Sequence, residues 1–495
     1  DWDNKAILQY NLELEKNESK YFINVVEREP WDKPKIPAIT YELVIEDIII
    51  NFYQTGVGIL SFHLSNYKHN EPEQILDIND FGRRIYPQFL NDGDPKSPLK
   101  SVKENFLANS IELELKILNQ KKEIRVKDSF AKFCDWFEGD EPKTISKLPE
   151  FITKLLGNKF KHTEHDLKVG DIKLSHVIDD RMFTICWYGN EHCAQILSEK
   201  QWSKELNRFE YNYENNDLWY RFIFVDNRNS GIANRNFLRQ LNIKHTYDRW
   251  IDNRSFFGIS RYSFVLLTNR DWFSKNIMLA HLQTMYFQLV MLALIQRASL
   301  LRFSDEATKV KLLEKPKHEQ RIENQLVYVE QLYERYIHFV NKIFFREPTA
   351  QEQGIELYDM LLDNMRIERE VKNLDRELDE IHRYVSLAAQ RKENEDLRYL
   401  TILATLLLPA SLVAGILGIN TLPSITSIPD KIFNGVFYPA FWMSVGIIFL
   451  ITTIFIYATD RLLKFRLFRK RKNRRLFYVV MILLAVLMIL IPSLF

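Results

Sequence analysis

Cysteine is scarce in this chain. Cys134, Cys186 and Cys193 are its only three in 495 residues, too few for a disulfide framework and suited to a reducing compartment. Glycine (15) and proline (16) are also few, which excludes collagen-like and linker-dominated chains. Neither sign of charge dominates. The 67 Lys and Arg against 65 Asp and Glu leave a net +2, so no chain-wide basic field points to nucleic acid as a partner. There is no Walker-type loop for NTP hydrolysis, and no Ser/His/Asp or paired-carboxylate arrangement stands out, so no catalytic residue is expected. His162 with His165, and Cys186 with His192 and Cys193, lack the four convergent ligands of a zinc site. His63 reads as a core histidine within a strand. No internal repeat is present, and the opening DWDNKAILQY carries no apolar core of a cleavable signal. Neither a bound metal nor a tightly bound cofactor is expected.

The mean hydropathy of -0.25 suits a soluble protein but hides an uneven distribution. Three runs near the C-terminus, Tyr399–Ile419, Val436–Thr459 and Leu476–Phe495, contain no Asp, Glu, Lys, Arg or His. Each reaches the ~20 residues that a helix needs to cross a bilayer core. Between the last two lies RLLKFRLFRKRKNRR, Arg461–Arg475, with nine basic residues and no acid. The positive-inside rule assigns that stretch to the cytosol and the Asn420–Gly435 link to the outside. The large N-terminal part is then cytosolic, in a multi-pass membrane protein. Arg461–Arg475 is also expected to bind anionic lipid. Ile277–Ile295 is long enough to span, but it contains His281, Gln283, Thr284 and Gln288, and reads better as a buried helix of the soluble part.

Residues 1–276 read as an α/β domain. TYELVIEDIIINFYQ and GILSFHLS form a β-hairpin pattern around Gly56 and Gly58, and SIELELKIL (Ser110–Leu118), Arg181–Tyr188, Tyr220–Val225 and Tyr262–Thr268 read as further strands. Residues 277–350 read as a helical hairpin. A stalk helix is expected over 351–398, running unbroken into the first span. Its apolar positions Ile367, Val371, Leu374, Leu378, Ile381, Val385 and Ala388 repeat at 4 and 3, a heptad seam that calls for packing against long helices. A two-helix pore region (399–459), a basic linker (460–475) and a third span (476–495) complete the expected plan.

The first span ends LLLPASLVAGILGIN, Leu406–Asn420. Pro409, Ser411, Ala414, Gly415, Gly418 and Asn420 resemble the Pro-x-Thr/Ser-x-x-Ala-Gly-x-aromatic-Gly-Met-Asn signature of the CorA superfamily of divalent-cation channels and transporters. The likeness covers roughly Gln351–Thr459. Ile419 stands where that signature has Met, and Leu417 where an aromatic residue is usual, so the triplet does not choose between Mg²⁺ and Zn²⁺. The resemblance implies a pentameric funnel: an α/β cytosolic domain, a long helical stalk and a C-terminal α-helical transmembrane region. It also implies a pore mouth formed by Gly418, Ile419 and Asn420, with Ser411 as a second polar group facing the pore, and a divalent cation as the permeant ion. A ring of neutral amides at helix C-termini suits a hydrated cation that dehydrates reluctantly. The loop Thr421–Ser427 is neutral and Asp430 cancels Lys431, so electrostatic focusing of cations is weak.

Some members of the superfamily are encoded with type III CRISPR systems and resemble membrane effectors opened by a nucleotide second messenger. Asp226–Arg261 carries Arg228, Asn229, Asn234, Arg235, Arg249, Arg254 and Arg261 among Gly, Ser and aromatic residues. Arg forks suit phosphate, and the aromatic rings suit a base. Arg83 and Arg84 add to that set. The favoured expectation is a channel gated by such a messenger, for example an adenosylmethionine-adenylate signal in antiviral defence. A housekeeping Mg²⁺ or Zn²⁺ transporter gated by its own ion, a membrane-tethered enzyme and a purely structural anchor stay open beside it.

Overall fold

The computed structural model describes residues 7–25, 38–84, 108–118, 123–129, 149–161, 168–175, 177, 181–204, 207–227, 231–312 and 320–421, with short pieces within 446–490. The second and third apolar runs, the basic linker, Arg228, Asn229, Cys134, His162 and His165 lie wholly or mostly outside the described residues. The chain divides into two compact units, Asp1–Lys315 with Val327–His382, and Pro316–Leu326 with Arg383–Phe495.

In the first unit, an antiparallel six-stranded sheet contains β1 (Ile7–Leu12), β2 (Lys20–Val25), β3 (Ile39–Tyr53), β4 (Gly58–Ser65), β5 (Ser110–Lys116) and β6 (Glu123–Ser129). Its order is β1-β3-β2-β5-β6, with β4 also paired to β3. The β3–β4 hairpin is the one expected from the β-branched run. Tyr41, Leu43 and Ile45 alternate inward along β3, as period-2 patterning requires, until a bulge between Ile45 and Asp47 shifts the register. One face buries Tyr21, Ile23, Ile111, Leu113 and Phe151, the last from the short helix α2 (Glu150–Leu156).

A second, four-stranded sheet has the order β12-β13-β14-β9: β9 (Thr184–Gly189), β12 (Thr246–Tyr247), β13 (Ser255–Ile259) and β14 (Ser263–Thr268). β14 pairs in parallel with β9 and antiparallel with β13. β13 and β14 are buried at every position, as expected of strands covered on both faces. Two-residue strands β7 (Phe160–Lys161) and β8 (Ile172–Lys173) pair in parallel, and β10 (Lys200–Ser203) and β11 (Arg208–Tyr211) form a small hairpin.

The segment Tyr220–Val225, expected as a strand, is the end of a helix, α4 (Asp217–Phe224). The Asn216 side chain caps its N-terminus by accepting from the Trp219 N–H. Trp219, Phe222 and Ile223, at i, i+3 and i+4, bury one face against β13 and β14. The aromatic and β-branched composition suggested a strand, but helical spacing and the cap prevail. α1 (Pro72–Arg83) contributes Ile78 and Phe81 to the core of the first sheet, and Ile75 and Leu76 to that of the second. α3 (Glu191–Ser198) and α5 (Arg235–His245) complete this layer.

Ser274–Lys309 is one helical run, apolar and long enough to cross a membrane by length and composition, with 44% of its most apolar window buried. It begins with π-helical stretches at Ser274–Met278 and Leu282–Tyr286 and continues as α6 (Phe287–Leu312). Val290, Ala293, Ile295 and Gln296 are wholly buried. The next helix is α7 (Gln320–Lys342). Phe303 packs on Tyr336 and Phe339 with ring centroids 5.8 and 5.7 Å apart. The Gln296 amide nitrogen donates to the Ile343 carbonyl at 3.0 Å, while its buried Oε1 has no hydrogen-bond partner, so the polar group inside this apolar helix is only half satisfied by the end of its neighbour.

The helix expected to run unbroken from Gln351 is interrupted. α8 (Glu352–Met365) ends at Arg366, which adopts the left-handed conformation (φ 58°), and α9 (Ile367–Thr421) starts anew. Neither Gly nor Pro marks the break. Its cause is packing. Leu357, Tyr358, Leu361 and Leu362 are buried on α8, and the Asn364 amide donates to the Ile259 carbonyl of β13 at 3.0 Å. α9 instead packs on α7, with Tyr333 stacked on His382 at 5.3 Å and bonded to Asp379. One straight helix cannot present both faces at the required angles. Of the seven seam positions, Ile367, Leu374, Leu378, Ile381 and Val385 are buried, and Val371 and Ala388 are half-buried.

Leu378→Ala should therefore destabilise by about 2–5 kcal/mol through lost burial and the cavity left behind. Leu387→Ala on the exposed face of the same helix should stay within ~0.5 kcal/mol of wild type. Thermal unfolding of the two variants side by side checks the seam.

Candidate functional site

The first apolar run forms the last part of α9, which stays helical through Thr421. Gly418, Ile419 and Asn420 occupy its final turn, where backbone carbonyls lack intrahelical partners and the dipole is negative. Ser411 and Gly415 are exposed, and a Cβ built on Gly415 meets nothing within 4 Å. At 100° per residue, positions 411, 415 and 418 share one face of a regular helix. Position 420 lies about half a turn from 411. Ser411 and Asn420 thus do not share a stripe, and a role for Asn420 at a pore mouth rests on its place in the terminal turn.

The Arg- and Asn-rich segment starts from a strained and strongly tethered stretch. Val225, a β-branched residue, is in the left-handed region at φ 55° and is buried, an outlier that surrounding contacts must impose. Two buried guanidiniums impose it. Arg83 of α1 donates to the Val225 carbonyl at 2.7 Å, and Arg221 of α4 donates to the Asp226 and Asn227 carbonyls at 3.3 and 2.6 Å. Arg221 also forms a two-pronged ion pair with Glu73, and the Asn227 amide donates to Asp77.

Beyond this tether the expected site residues are spread over several elements. Asn234 caps α5, accepting from the Phe237 N–H at 3.2 Å, and Arg235 follows it on the exposed first turn. Arg254 is left-handed (φ 59°) at the end of a short 3-10 turn, Ile251–Asn253. Arg261 is exposed, and its carbonyl accepts from Arg297. Arg249 lies against the Trp250 ring and pairs with Glu356 of α8 at 2.8 Å. The Tyr247 hydroxyl bonds the same Glu356 carboxylate. Those bonds from Tyr247 and Arg249 hold Glu356 below the usual carboxylate range.

Nothing in the sequence marks Glu73 or Glu356. Of the tether, the sequence shows Arg83 among the candidate arginines and Arg221 as a lone Arg inside the aromatic run Trp219–Phe224. Among the described residues, no group of three His, Cys, Asp or Glu side chains could hold a metal ion. Burial pushes the Cys186 thiol up to about 11 and raises Cys193 as well, so neither is a nucleophile near neutral pH. His63 is less comfortable than expected of a core histidine. Its ring contacts Phe287 at 4.9 Å, while its buried Nε2 has no hydrogen-bond partner and burial lowers its pKa.

Comparison with known proteins bears on the helical end of the chain. The model of the family described as CorA-like Mg²⁺ transporter protein matches residues 307–461. That match supports CorA superfamily membership. It covers under a third of the chain, from the end of α6 through α9, and includes the Ser411–Asn420 signature. No curated protein and no solved structure matches the chain.

The Glu356 contacts carry a pH signature. A depressed carboxyl pKa contributes stability that is complete above the unfolded carboxylate range and is lost as pH falls through the lower, folded value. Hydrogen-exchange protection of residues 352–365 should therefore drop only at acidic pH in the wild type. In Glu356→Gln it should be lower at neutral pH and lose that acid dependence.

Proposed function

We propose that the chain is a CorA-like, homo-oligomeric cation channel, assembled as a pentamer, whose cytosolic α/β part opens or closes a pore along the end of α9. The observation that carries this reading is the family match over 307–461, coinciding with the Gly418–Ile419–Asn420 ending of a 55-residue helix. Repeated around an axis, Asn420 would offer a ring of neutral oxygens at the mouth. Such a ring holds a hydrated divalent cation by its water shell without the cost of a fixed charge. Ser411 and Gly415 provide a polar, narrow face further along the helix, where neighbouring backbones can approach. Arg461–Arg475 keeps the N-terminal part on the cytosolic side and contacts anionic lipid.

For gating, we favour a small anionic ligand of the nucleotide-messenger class over the permeant ion itself. The Arg249–Glu356 ion pair supports this, because it ties the Arg-rich segment to α8, the helix immediately before α9. A phosphate that competes for Arg249 would release α8. The ion-gated alternative needs convergent acids, and the acidic residues on α9 stand mostly on the exposed face opposite the seam.

In proteoliposomes, Asn420→Ala should reduce Mg²⁺ flux by about tenfold or more, or abolish discrimination between Mg²⁺ and monovalent ions. Flux and selectivity equal to wild type would reject the pore assignment. Adenylate-type messengers should raise wild-type flux, and Mg²⁺ on the cytosolic side alone should not close the channel.

A further inference from the structure

Within the first unit, a groove of 2340 Å³ runs between β3 and β4, β9 and α6. Much of its wall is apolar, including Leu60, Phe62, Phe287, Met291 and Leu294. Arg83, Arg181, Arg297 and Tyr262, which also line it, have a different chemistry. The guanidinium carbons of Arg181 and Arg297 stand 5.6 and 5.1 Å from the centre of the Tyr262 ring. An isolated β-bridge joins Arg84 to Arg181, and the Met182 N–H donates to the Arg83 carbonyl at 2.8 Å. Backbone pairing thus fixes Arg181 beside the end of α1.

Arg83 is only 5% exposed. Its Nη2 serves Val225, while its Nε and Nη1 are buried with no hydrogen-bond partner. Asp80 gives one oxygen to Arg83 at 3.4 Å and to Arg84 at 3.1 Å. Burial lowers Arg83 to about 10; Asp80 opposes the fall, and Arg84 and Arg181 deepen it. Four carboxylates lie elsewhere along the groove: Asp305 pairs with Lys309 at 2.6 Å, Glu306 with Arg302 at 2.9 Å, Glu46 accepts from the Tyr67 hydroxyl at 3.2 Å, and Asp47 stands beside it on β3. Leaving buried donors unfilled is costly. An oxyanion with several acceptor oxygens would fill both Arg83 donors at once.

We propose that this corner of the groove binds a phosphate-type oxyanion. Arg83, Arg181 and Arg297 are its donors, Tyr262 is the ring that holds two of them in place, and the apolar wall receives the organic remainder of the ligand. The site adjoins the Arg249–Arg261 segment, because Arg297 donates to the Arg261 carbonyl at 2.8 Å, and it stands whether or not α9 forms a pore, since binding is read without ion flux.

The test uses the full-length protein in dodecyl maltoside micelles, which contain no phosphate, in Mg²⁺-free buffer. Isothermal titration with inorganic pyrophosphate, adenosine 5′-monophosphate and dihexanoyl phosphatidic acid should give saturable binding for at least one probe. The tightest of the three separates a free phosphate, a nucleotide and a lipid headgroup as the source. Arg181→Gln and Tyr262→Leu should weaken that binding about tenfold or more, the scale expected when charge-assisted donors are lost. Arg125→Gln, a surface change on β6, should leave it unchanged. Because Arg83→Gln removes the tether on Val225 and threatens folding, half-exposed Arg181 provides the decisive variant. Absence of saturable heat with all three probes, or an Arg181→Gln affinity within about twofold of wild type, would overturn the proposal.

Discussion

α1 is the element on which the first unit depends, because its two ends serve different cores. Twelve residues supply Ile78 and Phe81 to one sheet and Ile75 and Leu76 to the other. Each of its carboxylates is anchored, from exposed Glu73 on Arg221, through half-buried Asp77 on Tyr41 and Asn227, to buried Asp80 on Arg83 and Arg84. Exposed ion pairs contribute little to stability, whereas removing one partner of a buried pair costs several kcal/mol. The same bonds force Val225 into a conformation that its side chain disfavours. Strain in the backbone at the start of the Arg-rich segment is thus offset by the packing of α1, and the two features cannot be changed independently.

Much of this fold was legible where one rule of periodicity acts alone. β3 and β4 announce themselves by β-branched alternation around a glycine turn, and the seam of α9 by its 4-and-3 spacing. α4 was not legible as a helix from composition, since Trp219, Phe222 and Ile223 are favoured in strands as well. The signal that could have found it is positional: Asn216 as a cap, followed by apolar residues at i+3, i+6 and i+7. The break at Arg366 left no signal at all. Arginine is an ordinary helix former, and its left-handed conformation is imposed by α8 and α9 packing on different neighbours. Tertiary contacts of that kind are invisible to any local reading.

Legibility of the candidate sites differs in the same way. The Ser411–Asn420 signature is contiguous, so a resemblance and a family match both find it. The Arg83, Arg181, Arg297 and Tyr262 corner draws on four separate segments whose juxtaposition depends on a β-bridge and on α6 lying across the sheet. In sequence, Arg297 merely closes an apolar run and Arg181 opens a strand. Their common feature is contact with one tyrosine ring, which only the fold creates.

The arrangement also bears on how α8 is joined to α9. Besides its buried Leu357, Tyr358, Leu361 and Leu362 and the Tyr358 hydroxyl on the Phe345 carbonyl at 3.0 Å, α8 has two polar ties that respond differently. Asn364 bonds a β13 carbonyl, a neutral contact indifferent to pH and to anions. Glu356 is held by Tyr247 and Arg249, both near the surface, and its hold weakens when an anion competes for the guanidinium or a proton for the carboxylate. A helix fixed at its C-terminal end and released at its N-terminal end pivots more readily than it translates. The pivot lies next to Arg366, the one left-handed residue between α8 and α9. Any rotation of α8 is thus delivered where the helical hydrogen-bond ladder is already interrupted, so α8 can move without first breaking the bonds that hold α9 together.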